Sequence, residues 1–133
     1  MTLVNQQIEG ALQQVVDENS ATEIGIFADP AEATKYAQVS MGGGVLICEV
    51  SDSGEIGGEA LSDDQRSALA ALGFEKDFPN YRIEVAIVQA GSDAAVHPQL
   101  TAMTVNEVAE ALGRGLTEVH GVAPDTVLEI SLM

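Results

Sequence analysis

The sequence predicts an α+β domain in which an antiparallel β-sheet is flanked by an N-terminal helix, a short middle helix and a C-terminal helix. Three observations predict this class. Apolar residues recur at helical spacing near the start, middle and end of the chain, strand-like alternation fills the segments between, and three glycines join two of the strands. The length of 133 residues is typical of one domain, so residues 1–133 are predicted to form a single unit.

Helical spacing and capping pairs predict the three helices. Ser62 with Gln65 forms a capping box, in which each side chain bonds a free backbone N–H at the start of the middle helix. Thr104 with Glu107 forms the same motif at the start of the C-terminal helix. The N-terminal helix is predicted from one apolar face, made of Val4, Ile8, Ala11, Leu12, Val15 and Val16.

Two glycines interrupt the C-terminal helix. Gly113 and Gly115 each cost roughly 1 kcal/mol relative to alanine in a helix interior. Their spacing predicts close approach by another part of the structure, either within the fold or across a dimer.

Alternation with a period of two predicts the strands. Residues 35–41 and 45–50 form the clearest hairpin, because the glycines between them adopt positive φ without steric cost. Residues 22–27, 81–89 and 127–132 are predicted as further strands. Residues 51–60 are predicted to form a solvated loop and residues 90–101 an irregular segment.

The chain is strongly acidic, with 21 Asp and Glu against 5 Lys and Arg and a net charge of −16. Nucleic acids and anionic membranes are recognised by clustered cations, so neither is predicted as a partner. The charge favours attraction to a basic protein segment, although solubility alone also accounts for it.

No residue pattern indicates catalysis, and the sequence predicts no catalytic residue, metal site or cofactor. Cys48 lies in an apolar strand and is predicted to be buried and inert. His97 and His120 are isolated in the sequence and are predicted to be surface residues. The acidic residues from Asp52 to Asp64 do not match the ligand spacing of a calcium loop.

Targeting signals are also missing from the sequence. The first basic residue is Lys35, and no apolar run approaches the roughly 20 residues that span a bilayer. With one cysteine, the chain forms no internal disulfide, which fits a reducing compartment. These features predict a cytoplasmic location.

Several stretches together resemble the type III secretion chaperone-like proteins of the TY-Chap group, which are related to the CesT and YbjN folds. They are residues 61–69, Leu72-Gly73-Phe74, Pro79-Asn80-Tyr81, the hairpin strands 36–39 and 45–50, and the helix 108–122. The resemblance implies a sheet flanked by helices, frequent homodimers and peptide binding.

The leading functional hypothesis is therefore a non-enzymatic chaperone or adaptor that binds a peptide or protein segment and forms a homodimer. The alternative is an acidic regulatory or structural protein that binds a basic protein partner. The salt dependence of binding distinguishes the two hypotheses, because binding driven by charge weakens as ions screen it and binding in an apolar groove does not.

A binding surface is predicted on the outer side of the sheet. Polar residues mark that side of the hairpin and of the later strand, and period-two alternation adds five apolar residues to it. Exposed apolar patches usually mark interaction sites, and this one serves either peptide binding or dimerisation. Its members are Tyr36, Val45, Ile47, Ala86 and Val88. The other interpretation is that residues 90–101 or the C-terminal residues cover it.

Overall fold

The computed structural model describes residues 2–17, 19–91 and 96–133. The helices and strands are, in chain order, α1 Leu3–Val16, β1 Ile24–Asp29, β2 Glu32–Gly42, β3 Val45–Val50, α2 Asp63–Ala71, β4 Glu75–Asp77, β5 Asn80–Ile87, β6 Thr101–Met103, α3 Val105–Arg114 and β7 Glu129–Leu132. A 3-10 helix covers Ser53–Ile56, and a π-helical segment, Gly115–Val119, continues α3.

Within the described residues the strands form one seven-stranded sheet. The order is β4-β5-β3-β2-β1-β7, and β6 pairs with β5 outside this path. Every pairing is antiparallel except that between β5 and β6. The predicted α+β architecture is confirmed. The strands β4 and β6 were not predicted, and β6 begins in the segment predicted as irregular, of which residues 92–95 lie outside the described residues.

The β2–β3 hairpin turns at two glycines with positive φ, +60° at Gly43 and +80° at Gly44. Positive φ at both central residues is the geometry of the two-residue turns that match the twist of a hairpin. The turn sets the register, in which Met41 lies opposite Leu46 and Val39 opposite Cys48.

The core lies between one face of the sheet and the helices. Alternate residues in the middle of β2 and along β3 are buried on this inner face: Ala37, Val39, Leu46, Cys48 and Val50. Helix α1 contributes Val4, Ile8, Ala11, Leu12 and Val15, and α3 contributes Val108, Ala109 and Leu112. The face predicted for α1 is thus the buried one, apart from the half-buried Val16.

The capping boxes predicted for α2 and α3 are both present. Ser62 Oγ accepts from the N–H of Gln65 at 3.1 Å, and Thr104 Oγ1 accepts from the N–H of Glu107 at 3.1 Å. The single C-terminal helix predicted from Thr104 onward is α-helical only to Arg114 and continues as the wider π-helical segment.

The helix glycines make room for close packing within the fold. A Cβ atom on Gly113 would overlap the side-chain oxygen of Asn5 in α1, and one on Gly115 would lie 2.8 Å from Val50 in β3. Of the two explanations left open by the sequence, the structure supports approach within the fold.

Two predictions about exposure are wrong, and both concern the same place. Residues 51–60 were predicted to be a solvated loop, and residues 54–60 are exposed or half-buried, but Ser51, Asp52 and Ser53 are buried. His120 was predicted to be a surface residue and is only 4% exposed. These polar side chains are buried because they find hydrogen-bond partners across the fold, which offsets the cost of removing them from water.

Candidate functional site

The outer face is the side of the sheet that points away from α1 and α3. Of the residues in β2, β3 and β5, only those on the inner face belong to the buried apolar core. The helices therefore cover the inner face. Apart from the buried Asn80 at the start of β5, the outer residues of these strands are half-buried or exposed. Residues Glu129–Leu132 do not cover the outer face, because they extend the sheet as the edge strand β7.

The five predicted site residues all lie on the outer face, in two groups. Ile47 of β3 lies opposite Glu84 of β5, so the same register brings Val45 level with Ala86. Val88 follows on the same side of the chain and is tied to β6 by its N–H, which donates to the Met103 carbonyl at 3.0 Å. Val45, Ile47, Ala86 and Val88 therefore form one cluster, which we call the hairpin patch.

Tyr36 lies apart from the hairpin patch. Its partner in β1 is Ala28, and its hydroxyl accepts from Asn80 Nδ2 at 3.0 Å, at the opposite end of β3 and β5. A row of polar residues separates the two groups, because Gln38 lies opposite Glu49 and Glu49 lies opposite Arg82.

The polar row is held by side-chain contacts. Gln38 donates to the Glu49 carboxylate. Arg82 forms ion pairs with Glu84 at 2.6 Å and with Asp77 at 3.2 Å. A segment lying across the outer face therefore meets an apolar zone, a polar row and a second apolar zone in succession.

The second apolar zone is a concavity of about 330 Å³ around Tyr36. It is lined by Ile26, Ala28, Ala33, Tyr36, Gln38, Glu129 and Ser131. The sequence-based prediction missed its contributions from β1 and β7. The alternation of Ile24, Ile26 and Ala28 with Gly25 and Phe27 is the signal that could have located the β1 residues on this face.

A larger groove of about 860 Å³ opens at the hairpin end of the molecule. It runs between the last turn of α1, the β2–β3 turn and the start of α3. Val88 also lines it, so the hairpin patch continues around the end of β5 into this groove.

A buried polar cluster lies where β3 ends. His120 Nε2 is 2.8 Å from the carbonyl oxygen of Ser51 and 3.2 Å from its hydroxyl. Since a carbonyl only accepts, Nε2 carries a proton, and it is not free to take one from the Ser51 hydroxyl. That hydroxyl donates to the Thr34 carbonyl at 2.7 Å. The pair therefore has the geometry of a structural contact and not of a nucleophile with its base.

The same cluster contains an ion pair between a buried carboxylate and an exposed lysine. Asp52 is almost fully buried, and Lys76 Nζ lies 2.7 Å from its carboxylate. The N–H of Asp52 also donates to Asn80 at 3.4 Å. Lys76 lies 5.1 Å from the Tyr81 ring centroid, within the range of a cation–π contact.

Burial sets the titration of two groups in the molecule. Burial, with a smaller contribution from Glu49, raises the pKa of the Cys48 thiol to about 12, so the thiol stays protonated at neutral pH and is a poor nucleophile. Burial lowers the pKa of His120, and the imidazole is neutral at pH 7.

Neither metal ligation nor a membrane span is found in the part of the chain that the structure describes. There, no three His, Cys, Asp or Glu side chains come together as a metal site. Among the same residues, no helix has the length and apolar character needed to cross a bilayer.

A family model described as "T3SS (YopN, CesT) and YbjN peptide-binding chaperone 3" matches residues 6–132, nearly the whole chain. Searches of curated proteins and of solved structures found no match.

Proposed function

The chain belongs to the T3SS (YopN, CesT) and YbjN peptide-binding chaperone family, and from that premise we propose that it is a non-enzymatic chaperone or adaptor that binds a segment of a partner protein. The proposed site is the outer face, with the hairpin patch and Tyr36 as its contact residues. The observation that carries the proposal is a set of apolar side chains on a face that the helices leave uncovered.

The outer face suits an extended segment better than a small molecule. Its two apolar zones lie on either side of the polar row, so a ligand that contacts both has to span several strands. The polar row offers donors and acceptors that fix the register of such a segment, while the apolar zones supply most of the binding energy.

The titratable and nucleophilic groups support a role without catalysis. The Cys48 thiol is protonated and buried, and the Ser51 hydroxyl and His120 imidazole are engaged in structural hydrogen bonds.

A single reduced cysteine fits the cytoplasm, which we propose as the location. The net charge of −16 favours a protein partner over nucleic acid.

Fluorescence anisotropy with labelled synthetic peptides tests the proposal. The probes are peptides of alternating apolar and polar residues, with scrambled and fully polar peptides as comparisons. We expect the alternating peptides to bind, and Ile47→Asp to weaken that binding at least about tenfold, because one buried apolar contact contributes roughly 1.5–3 kcal/mol.

Two controls accompany this experiment. Ile47→Ser removes the apolar contact without placing a second carboxylate opposite Glu84, so it separates lost burial from charge repulsion. Phe78→Asp makes a similar change at an exposed residue outside the hairpin patch and should leave binding unchanged. Equal binding by Ile47→Ser and the wild type would contradict the proposed site, and binding that collapses with added salt would favour a charge-driven basic partner instead.

A further inference from the structure

The larger groove at the hairpin end of the molecule, which we call the end groove, is lined by carboxylates. They are Glu9 of α1, Asp17 at the end of that helix and Glu23 just before β1. Asp17 and Glu23 are exposed, and Glu9 is half-buried. Among the described residues, no lysine, arginine or histidine lines the end groove. The charged side chains that line it are therefore all negative.

The cations of the chain are engaged elsewhere. All five lysine and arginine residues lie in the described part of the chain, and each forms an ion pair with a carboxylate of the chain itself. Lys35 pairs with Glu32, Arg66 with Asp63, Lys76 with Asp52, Arg82 with Asp77 and Glu84, and Arg114 with Glu118. None of these pairs includes a carboxylate of the end groove. Those carboxylates are left without a lysine or arginine partner from their own chain.

The backbone adds to this negative charge. Helix α1 ends in the groove, and its last turn contains no basic residue. The C-terminal end of a helix carries a partial negative charge and favours nearby cations, because its last carbonyl groups accept no hydrogen bond within the helix. Helix α3 begins at the groove, but there Glu107 already supplies the negative group that such an end favours. The field in the end groove therefore favours a positively charged ligand.

Apolar side chains line the end groove together with the carboxylates. They include Val16, Met41, Val88 and Val105, all of which are half-buried. Val88 also belongs to the hairpin patch, so the two surfaces share an apolar side chain. A segment that lies on the hairpin patch and passes the end of β5 would enter the end groove and meet its carboxylates there.

We propose that the end groove binds the cationic part of the partner segment, in which lysine or arginine residues adjoin the apolar stretch that lies on the hairpin patch. This assignment rests on the proposed function and specifies the chemistry of the partner. The aliphatic stem of a lysine or arginine packs against apolar side chains while its charged head reaches outward. One such residue therefore contacts both the apolar side chains and the carboxylates of the end groove.

A second copy of this chain does not have that chemistry. Its lysines and arginines are paired with its own carboxylates and its net charge is −16, so it would bring further negative charge to the end groove. Nucleic acid would do the same, because its phosphates are anionic. A basic and partly apolar segment of a different protein complements the end groove in both charge and polarity.

Fluorescence anisotropy with three matched peptides tests this assignment. Each peptide has the same alternating apolar and polar stretch, followed by three lysines, three glutamines or three glutamates. Each is also made with these residues at the other end, because a segment can cross the strands in either direction. We expect the lysine peptide to bind about tenfold more tightly than the glutamine peptide, since exposed ion pairs are individually weak and a few together supply about this factor. The glutamate peptide should bind most weakly, and sodium chloride should reduce the affinity of the lysine peptide to that of the glutamine peptide and no further.

Two triple variants locate the effect in the molecule. The first neutralises the carboxylates of the end groove: Glu9→Gln, Asp17→Asn and Glu23→Gln. The second is the matched control, which removes the same charge from exposed residues outside the end groove and the outer face: Glu55→Gln, Asp64→Asn and Asp125→Asn. The groove variant should bind the lysine and glutamine peptides equally, whereas the control should retain the preference for lysine. Binding of the glutamine peptide by both variants shows that both are folded.

A preference for lysine that survives in the groove variant, or that the control loses to the same extent, would overturn the assignment, because the overall charge of the chain would then account for it. So would a fully polar lysine peptide that binds as tightly as the alternating one, since the apolar side chains would then contribute nothing. Failure of the proposed function has a different signature, because it is measured with the glutamine peptide. That peptide would then not bind the wild type, or would bind Ile47→Ser and the wild type equally.

Discussion

The two faces of the sheet are formed by the same strands but differ in burial. In β3, Leu46, Cys48 and Val50 are fully buried against the helices, while Val45, Ile47 and Glu49 alternate with them on the outer face and are half-buried. The inner residues fill a close-packed core, in which a change of volume or polarity disturbs many neighbours. Among the described residues, no helix packs over the outer side chains, so their identity is less constrained by the core and is available for the proposed binding.

The largest expected effect on stability is a difference between two aspartate substitutions at adjacent positions, one on each face of the sheet. Leu46→Asp buries an unpaired carboxylate, which should cost several kcal/mol and remove most of the stability of a domain of this size. Ile47→Asp places the same group where water reaches it and should cost less than about 1.5 kcal/mol, part of it repulsion from Glu84. Circular dichroism and urea unfolding of both variants measure the difference. A loss of the folded signal in Ile47→Asp would show that the outer face is covered.

The comparison between the faces has an exception where β3 ends. There, several buried residues are polar: Ser51, Asp52, Asn80 and His120. Their hydrogen bonds join the ends of β2, β3 and β5 to the segment after α3. This end of the core is therefore stabilised by hydrogen bonds between polar groups. Its stability should depend on pH, whereas the stability of the apolar part of the core should not.

The second prediction is that protonation of His120 destabilises the fold as pH falls. Burial lowers its pKa, Lys35 lowers it further, and the Ser51 carbonyl, Asp52 and Glu32 act in the opposite direction. The folded state therefore binds the proton more weakly than the unfolded state. The contribution of the neutral imidazole is fully present above the unfolded pKa of about 6.5 and is lost as pH falls through the lowered folded pKa.

Urea midpoints between about pH 7 and pH 5 measure this dependence. We expect the wild type to lose stability over this range more steeply than His120→Gln, which has no imidazole to protonate. His97→Gln is the matched control, because His97 is exposed and should leave the wild-type slope unchanged. Identical slopes in all three proteins would show that His120 does not titrate between the folded and unfolded states.

Much of the fold follows from local patterns that the sequence displays. The alternation in residues 35–41, 45–50 and 81–87 correctly separated inner from outer side chains, and the capping boxes correctly located the starts of α2 and α3. The strands β4 and β6 were not predicted because three residues are too few to show an alternating pattern, and all three residues of β4 are charged. Their pairing is imposed by the edge of β5 and not by their own composition.

The parts that the sequence did not predict depend on contacts between distant positions. Ser51 and His120 are 69 residues apart, and each appears to be an ordinary surface residue until the other is placed beside it. The predicted site has the same limitation. Alternation assigned Tyr36 and Ile47 to one side of the sheet, but only the register of Gln38, Glu49 and Arg82 shows that a polar row separates them.

The smallest expected effect concerns that polar row. Arg82 is about one-third exposed, and its ion pairs with Glu84 and Asp77 lie on the open side of the sheet. Exposed ion pairs contribute about 0–1 kcal/mol, because water and salt screen them and the long side chains lose freedom when they form. Arg82→Gln should therefore shift the urea midpoint no more than Arg114→Gln, which removes an ion pair with Glu118 on the helix surface. If Arg82→Gln instead costs several kcal/mol, the row is a structural element, and the outer face contributes to the stability of the fold in addition to the proposed binding. If Arg82→Gln and Arg114→Gln shift the urea midpoint equally, the polar row is dispensable for folding. Any loss of peptide affinity in Arg82→Gln is then a loss of recognition and not of stability.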